Sequence, residues 1–161
     1  MGLFSKRPKE TEYETHLRNE ISSRKAPDIA RASRRVDLLV AEVIRKANVP
    51  DTTVTQDFVR KQFHFFLAHQ TRMWLGPYKV IPEYRLLQQE WIQLVRDHAT
   101  SSPEELLAWF YSFDPVNMPE VADNSFREMI PALSESLIEA VTKNEPPGSR
   151  LWHWDSFLTE P

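Results

Sequence analysis

The densest aromatic stretch of the chain, Thr55 to His98, most constrains what it can fold into. Phe58, Val59, Phe63, Phe65, Phe66, Leu67 and Trp74 come first, and Tyr84, Leu87, Trp91, Leu94 and Val95 follow. Apolar residues recur three and four apart through both runs, the period of helices and not of strands. Between them lies Gly76-Pro77-Tyr78-Lys79-Val80-Ile81-Pro82, where the prolines interrupt helix hydrogen bonding. Two amphipathic helices are expected, with the rest of the chain packed on them. Thr55 is the expected N-cap of the first. On a wheel, Phe58, Val59, Phe63, Phe66, Leu67, Met73 and Trp74 cover so wide an arc that this helix should be covered on more than one side. Arg60, Lys61, His64 and Thr71 share the remaining face. Gln62 and His69 fall inside the apolar arc, and His98 falls in the apolar stripe of the second helix.

The flanking segments add shorter helices. Three Gly against twelve Pro argue against tight-turn β architecture and glycine-rich phosphate loops. Residues 1–9 are basic and broken by Pro8, a flexible N-terminus in expectation. Tyr13, Leu17 and Ile21 mark a short helix within 10–24. Pro27 and Asp28 open the next. Ile29, Ala32, Val36, Leu39, Val40, Val43, Ile44 and Ala47 line one face of it, and Asn48-Val49-Pro50-Asp51 ends it. Ser102-Pro103-Glu104-Glu105 reads as N-cap, N1 proline and N3 acid, opening a short buried helix that stops at Asp114-Pro115. A further helix starts at Pro119 or Ser125, and Pro131 either kinks it or begins another. Leu133, Leu137, Ile138 and Val141 form the stripe there. After Pro146-Pro147-Gly148 the tail is aromatic without helical period. The expectation is all-α: an irregular single-domain helical bundle of five to seven helices over 10–148, with an aromatic, mostly non-helical C-terminal tail at 149–161.

Several chemistries are excluded. With no Cys there is no disulfide, thiolate metal site or Cys nucleophile. No Glu is followed by His three residues later, and no His-Glu-x-x-His occurs, so neither metal nor cofactor is expected. Acidic residues sit at helix starts and on polar faces, where capping and solvation account for them. No catalytic residue is assigned. No run approaches the ~18 apolar residues of a membrane span, Leu3-Phe4 is too short for a secretory signal, and Lys6 stands where myristoylation wants Ser or Thr. A soluble, cytoplasmic protein is expected.

Three groups remain as candidates. Gln62, Phe66, His69, Trp91 and His98 would line a small-ligand pocket if the two aromatic helices are antiparallel neighbours; two satisfied core histidines are the plainer account. Arg31, Arg34, Arg35 and Arg45 share a helix face with Leu38 at its centre. An apolar centre with an arginine rim is an interface composition, and the arginines would equally suit phosphates of a nucleic acid. Trp152, Trp154 and Phe157 of the tail are either a docking arm or core cover. Residues 1–96 carry 17 basic and 11 acidic side chains, net +6, whereas residues 97–161 carry 3 and 12, net −9. That split means an acidic partner, or mutual attraction within one fold. The expected function is a non-catalytic protein-binding adaptor or regulator. A ligand sensor and a nucleic-acid-associated protein are the alternatives.

Overall fold

The computed structural model describes residues 10–96 and 103–143. Among these residues six α-helices follow one another: α1 (Glu12–Ser22), α2 (Ile29–Ala47), α3 (Thr53–Leu75), α4 (Tyr84–Arg96), α5 (Pro103–Tyr111) and α6 (Met118–Thr142). A 3-10 turn at Gly76–Val80 joins α3 to α4, and no strand occurs among the described residues. One apolar cluster draws on every helix. The bundle is irregular, as the unequal helix lengths lead one to expect.

Local chemistry sets the helix ends. Thr11 caps α1 by accepting the Glu14 amide at 3.1 Å, and Leu17 and Ile21 reach the core while Tyr13 stays exposed. Asp28 caps α2 through the Arg31 amide at 3.0 Å. Its apolar stripe is buried from Ala32 to Ala47, with only Ile29, at the first position, left exposed. The helix closes on Asn48, held left-handed at φ 54° and ψ 46°. Asparagine tolerates that conformation better than other non-glycine residues.

The cap of α3 is Thr52, not Thr55. The Thr52 hydroxyl accepts the Thr55 amide at 3.2 Å, and the Thr55 hydroxyl accepts the Thr52 amide at 2.9 Å, a reciprocal capping box built from two threonines. Thr55 also donates to the Pro50 carbonyl at 2.9 Å. From there α3 runs through the middle of the molecule, against α2, α4, α5 and α6. His64 and Thr71, expected on its outer face, are 3% and 1% exposed, whereas Met73, expected within, is 67% exposed. Thr71 is buried because α4 reaches it. The Trp91 indole N–H donates to its hydroxyl at 2.8 Å, and that hydroxyl donates to the Leu67 carbonyl at 2.7 Å.

The shorter elements are fastened to this axis. Tyr78 of the 3-10 turn is buried and its hydroxyl bonds to Glu20 of α1. Burial, then the Glu20 carboxylate, pushes the phenol pKa far up. Trp74 meets Phe113 edge-on at 4.4 Å and Phe110 at 5.5 Å. Arg60 of α3 pairs with Asp37 of α2 and with the buried Glu104 of α5. Pro119 lies in the first turn of α6, which continues unbroken past Pro131. Pro131 and Arg127, whose carbonyl loses its partner there, both lie on the exposed side, so water can take the bond. Ser125 is no cap, since its hydroxyl donates to the Val121 carbonyl at 3.1 Å. Leu133 and Leu137 are buried, while Ile138 and Val141 are exposed. Ser102, His98, the 1–9 segment and the 149–161 tail lie outside the described residues.

The left-handed cap gives a direct test. Asn48→Val should cost about 1–2 kcal/mol, because a branched Cβ clashes in that conformation, whereas Asn48→Gly should leave stability level or slightly raised. Urea unfolding midpoints check both.

Candidate functional site

The outer face of α2 carries the most organised surface feature. Arg31, Arg34, Arg35 and Leu38 fall at i, i+3, i+4 and i+7, so helical period alone gathers them. The structure adds Tyr111 from the end of α5 and Pro119 from the start of α6, closing a recess of about 180 Å³. Of these six residues three are guanidinium bases and none is acidic.

Two of the arginines are anchored. Arg31 Nη1 donates to the Pro115 carbonyl at 2.9 Å, and its guanidinium lies 5.7 Å from the Tyr111 ring centroid. That is within cation–π range. Arg35 forms a two-pronged pair with Asp123 of α6, Nε donating to Oδ1 at 2.6 Å and Nη2 to Oδ2. The third, Arg34, is exposed and makes no ion pair or side-chain hydrogen bond among the described residues. Leu38 beside them is 63% exposed. Tyr111 is 4% exposed, and its enclosed hydroxyl sits beside the Arg35 guanidinium. Burial raises its pKa, while the positive charges of Arg35 and Arg31 pull the other way.

The Pro115 anchor of Arg31 is itself held. Asp114 Oδ1 accepts the Val116 amide at 3.0 Å and the Asn117 amide at 2.9 Å, tightening the turn between α5 and α6. These backbone bonds hold the Asp114 carboxyl below its ordinary value. Arg45 does not line the recess. It lies eleven residues beyond Arg34, about 16 Å along the axis at ~1.5 Å per residue, with Glu42 between.

The pocket candidates are distributed differently. Phe66 lines an apolar cleft of about 90 Å³ with Thr71, Trp74, Phe110, Ala122 and Phe126, so it faces α5 and α6. Ligand sites usually exceed ~300 Å³. Trp91 is fully buried with its indole bonded to Thr71. His69 is half-buried, and Gln62 is half-buried with its Nε2 enclosed and without a hydrogen-bond partner among the described residues. His98, Trp152, Trp154 and Phe157 lie outside the described residues. Among the described residues no group of His, Asp and Glu is placed to hold a metal ion, and no helix is long and apolar enough to cross a membrane.

Sequence reasoning found the α2 half of the recess and missed Tyr111, Pro119 and the anchors Pro115 and Asp123. The anchors lie 84 and 88 residues from the arginines they hold. The one sequence signal for them is the charge split, since Asp123 belongs to the acidic half.

Asp114 ties the turn that anchors Arg31 to pH. A depressed carboxyl pKa stabilises the fold fully above the unfolded value of 3.8, and the contribution is lost as pH falls through the lower folded value. Wild type should melt above Asp114→Asn near neutral pH, and the gap should close in acid below that window. Thermal melts across the acid range check this. Comparison with known proteins finds no family model, no curated protein and no solved structure that matches this chain, so the functional reading rests on the geometry of the recess.

Proposed function

We propose that the protein is a non-catalytic binding module, an adaptor or regulator of the cytoplasm, that docks an acidic segment of another protein on the outer face of α2. The observation that carries this is the recess itself: Leu38 exposed among Arg31, Arg34 and Arg35, with Arg34 free of ion pairs among the described residues. An apolar centre with an arginine rim suits association, because arginine presents a planar fork to carboxylates and buries its stem well. Trp152, Trp154 and Phe157 are proposed as a second contact.

The ligand-sensor alternative draws less support, since the cleft beside Phe66 is about 90 Å³. Nucleic-acid association is also less supported. Arg45 stands apart from the other three, and Asp37 and Glu42 interrupt the basic surface of the same helix.

Arg34→Glu combined with Leu38→Asp tests the proposal. Both side chains are exposed, so stability should stay within about 0.5 kcal/mol. Affinity purification from the native host should then lose the partners that wild type retains. Unchanged partners on a folded variant would place the docking surface elsewhere. Removing 149–161 separates the tail's roles: lost partners with an unchanged melting temperature mark a docking arm, and a large fall in melting temperature marks core.

A further inference from the structure

We infer that the α2 recess is a phosphoryl-binding site, and that its occupant is a phosphorylated serine or threonine in an extended segment of the partner protein. The inference rests on the docking proposal and names the chemistry of the docked group. Charge comes first. Three guanidiniums face the recess and the Asp123 carboxylate offsets one of them, leaving two positive charges. A phosphomonoester carries about −1.5 to −2 near neutral pH, whereas an acidic side chain carries one charge.

Size agrees. A recess of about 180 Å³ has room for a phosphoryl group together with ordered waters. Pre-organisation is the third point. Pro115 and Asp123 hold Arg31 and Arg35 in place while using only part of their donors, and each guanidinium has five. Arg34 contributes its whole fork. Tyr111, whose enclosed hydroxyl sits beside the Arg35 guanidinium, lines the same recess.

Leu38 sets the sequence around the phosphorylated residue. Arg34 and Leu38 are about 6 Å apart along the helix axis, close to the ~6.6 Å spanned by two residues of extended chain. The occupant should therefore carry an apolar residue two positions from the phosphate. A nucleic-acid backbone fits less well, because it presents a continuous line of charge and the basic cluster spans little more than one helical turn, with Arg45 left out.

Calorimetric titration of the full chain tests this with inorganic phosphate and with one short peptide in three forms: phosphoserine with leucine two residues away, unmodified serine, and glutamate. Expected are tighter binding of the phosphopeptide than the glutamate form by about tenfold or more, and a further loss of about tenfold on Arg34→Gln, the usual worth of a charge-assisted hydrogen bond. Leu38→Asp should weaken the phosphopeptide more than inorganic phosphate. Equal binding of all three peptides, or phosphate binding indifferent to Arg34→Gln in a variant with unchanged circular dichroism, would overturn the inference. So would displacement of the phosphopeptide by an RNA oligonucleotide that binds more tightly with steep salt dependence. If the peptides are not distinguished but the Arg34→Glu, Leu38→Asp variant still loses its partners, docking stands and the phosphoryl site falls. If the phosphopeptide binds through Arg34 but that variant keeps its partners, the phosphoryl site stands and the docking proposal falls.

Discussion

Helix α3 is buried around most of its circumference, and the rest of the molecule is arranged to make that tolerable. From Phe58 to Leu75 its buried positions point in every direction, and four helices stand against it. A helix so widely covered gains by satisfying its enclosed polar side chains internally, since an enclosed polar group without a partner costs roughly 1–3 kcal/mol. Thr71 does so by bonding back to Leu67 and accepting the Trp91 indole. Arg60 does so by joining Asp37 and Glu104, which ties α2 and α5 to the same axis. Packing of α2 on α3, α5 and α6, with the ion pairs at Arg60, thus fixes where α2 sits.

The placement of α2 determines the surface. Its inner stripe lies on α3, α5 and α6. Its outer face is then brought beside the α5–α6 turn. There the Asp114 bonds set the Pro115 carbonyl against Arg31, and α6 sets Asp123 against Arg35. Both contacts take donors from the arginines but leave their charge near the recess. The attraction between the basic and acidic halves is therefore partly spent within the fold, at Arg35–Asp123 and Arg60–Glu104, and partly left over, at Arg34. The two explanations of the charge split are not exclusive: internal pairing orders the arginines that an acidic partner would meet.

Legibility in the sequence followed the number of buried faces. On α2 one face is buried, so the stripe from Ala32 to Ala47 could be read directly. On α3 polarity was a poor guide to exposure: His64 and Thr71 are inside and Met73 is outside, because cover by four helices blurs the contrast that a wheel detects. The cap was misplaced at Thr55 for a local reason. Thr52 and Thr55 are three apart and bond to each other reciprocally, so Thr55 carries the chemistry of a cap while lying inside the helix. Pro131 was undecided until its exposure showed that no buried carbonyl is stranded. For the recess, helical period supplied Arg31, Arg34, Arg35 and Leu38, whereas Tyr111 and Pro119 arrive through contacts more than 70 residues apart that no local pattern encodes.

The central claim is that the α2 recess is pre-built, with Arg31 and Arg35 held by the α5–α6 region and Arg34 waiting. Nitrogen-15 NMR of the arginine side chains in the unliganded protein tests it most directly. The account predicts a slowly exchanging, ordered Nε–H for Arg35, restricted guanidinium rotation for Arg31, and rapid averaging for Arg34. Equal, rapid averaging of all three would contradict it, because the recess would then have to be assembled by its partner.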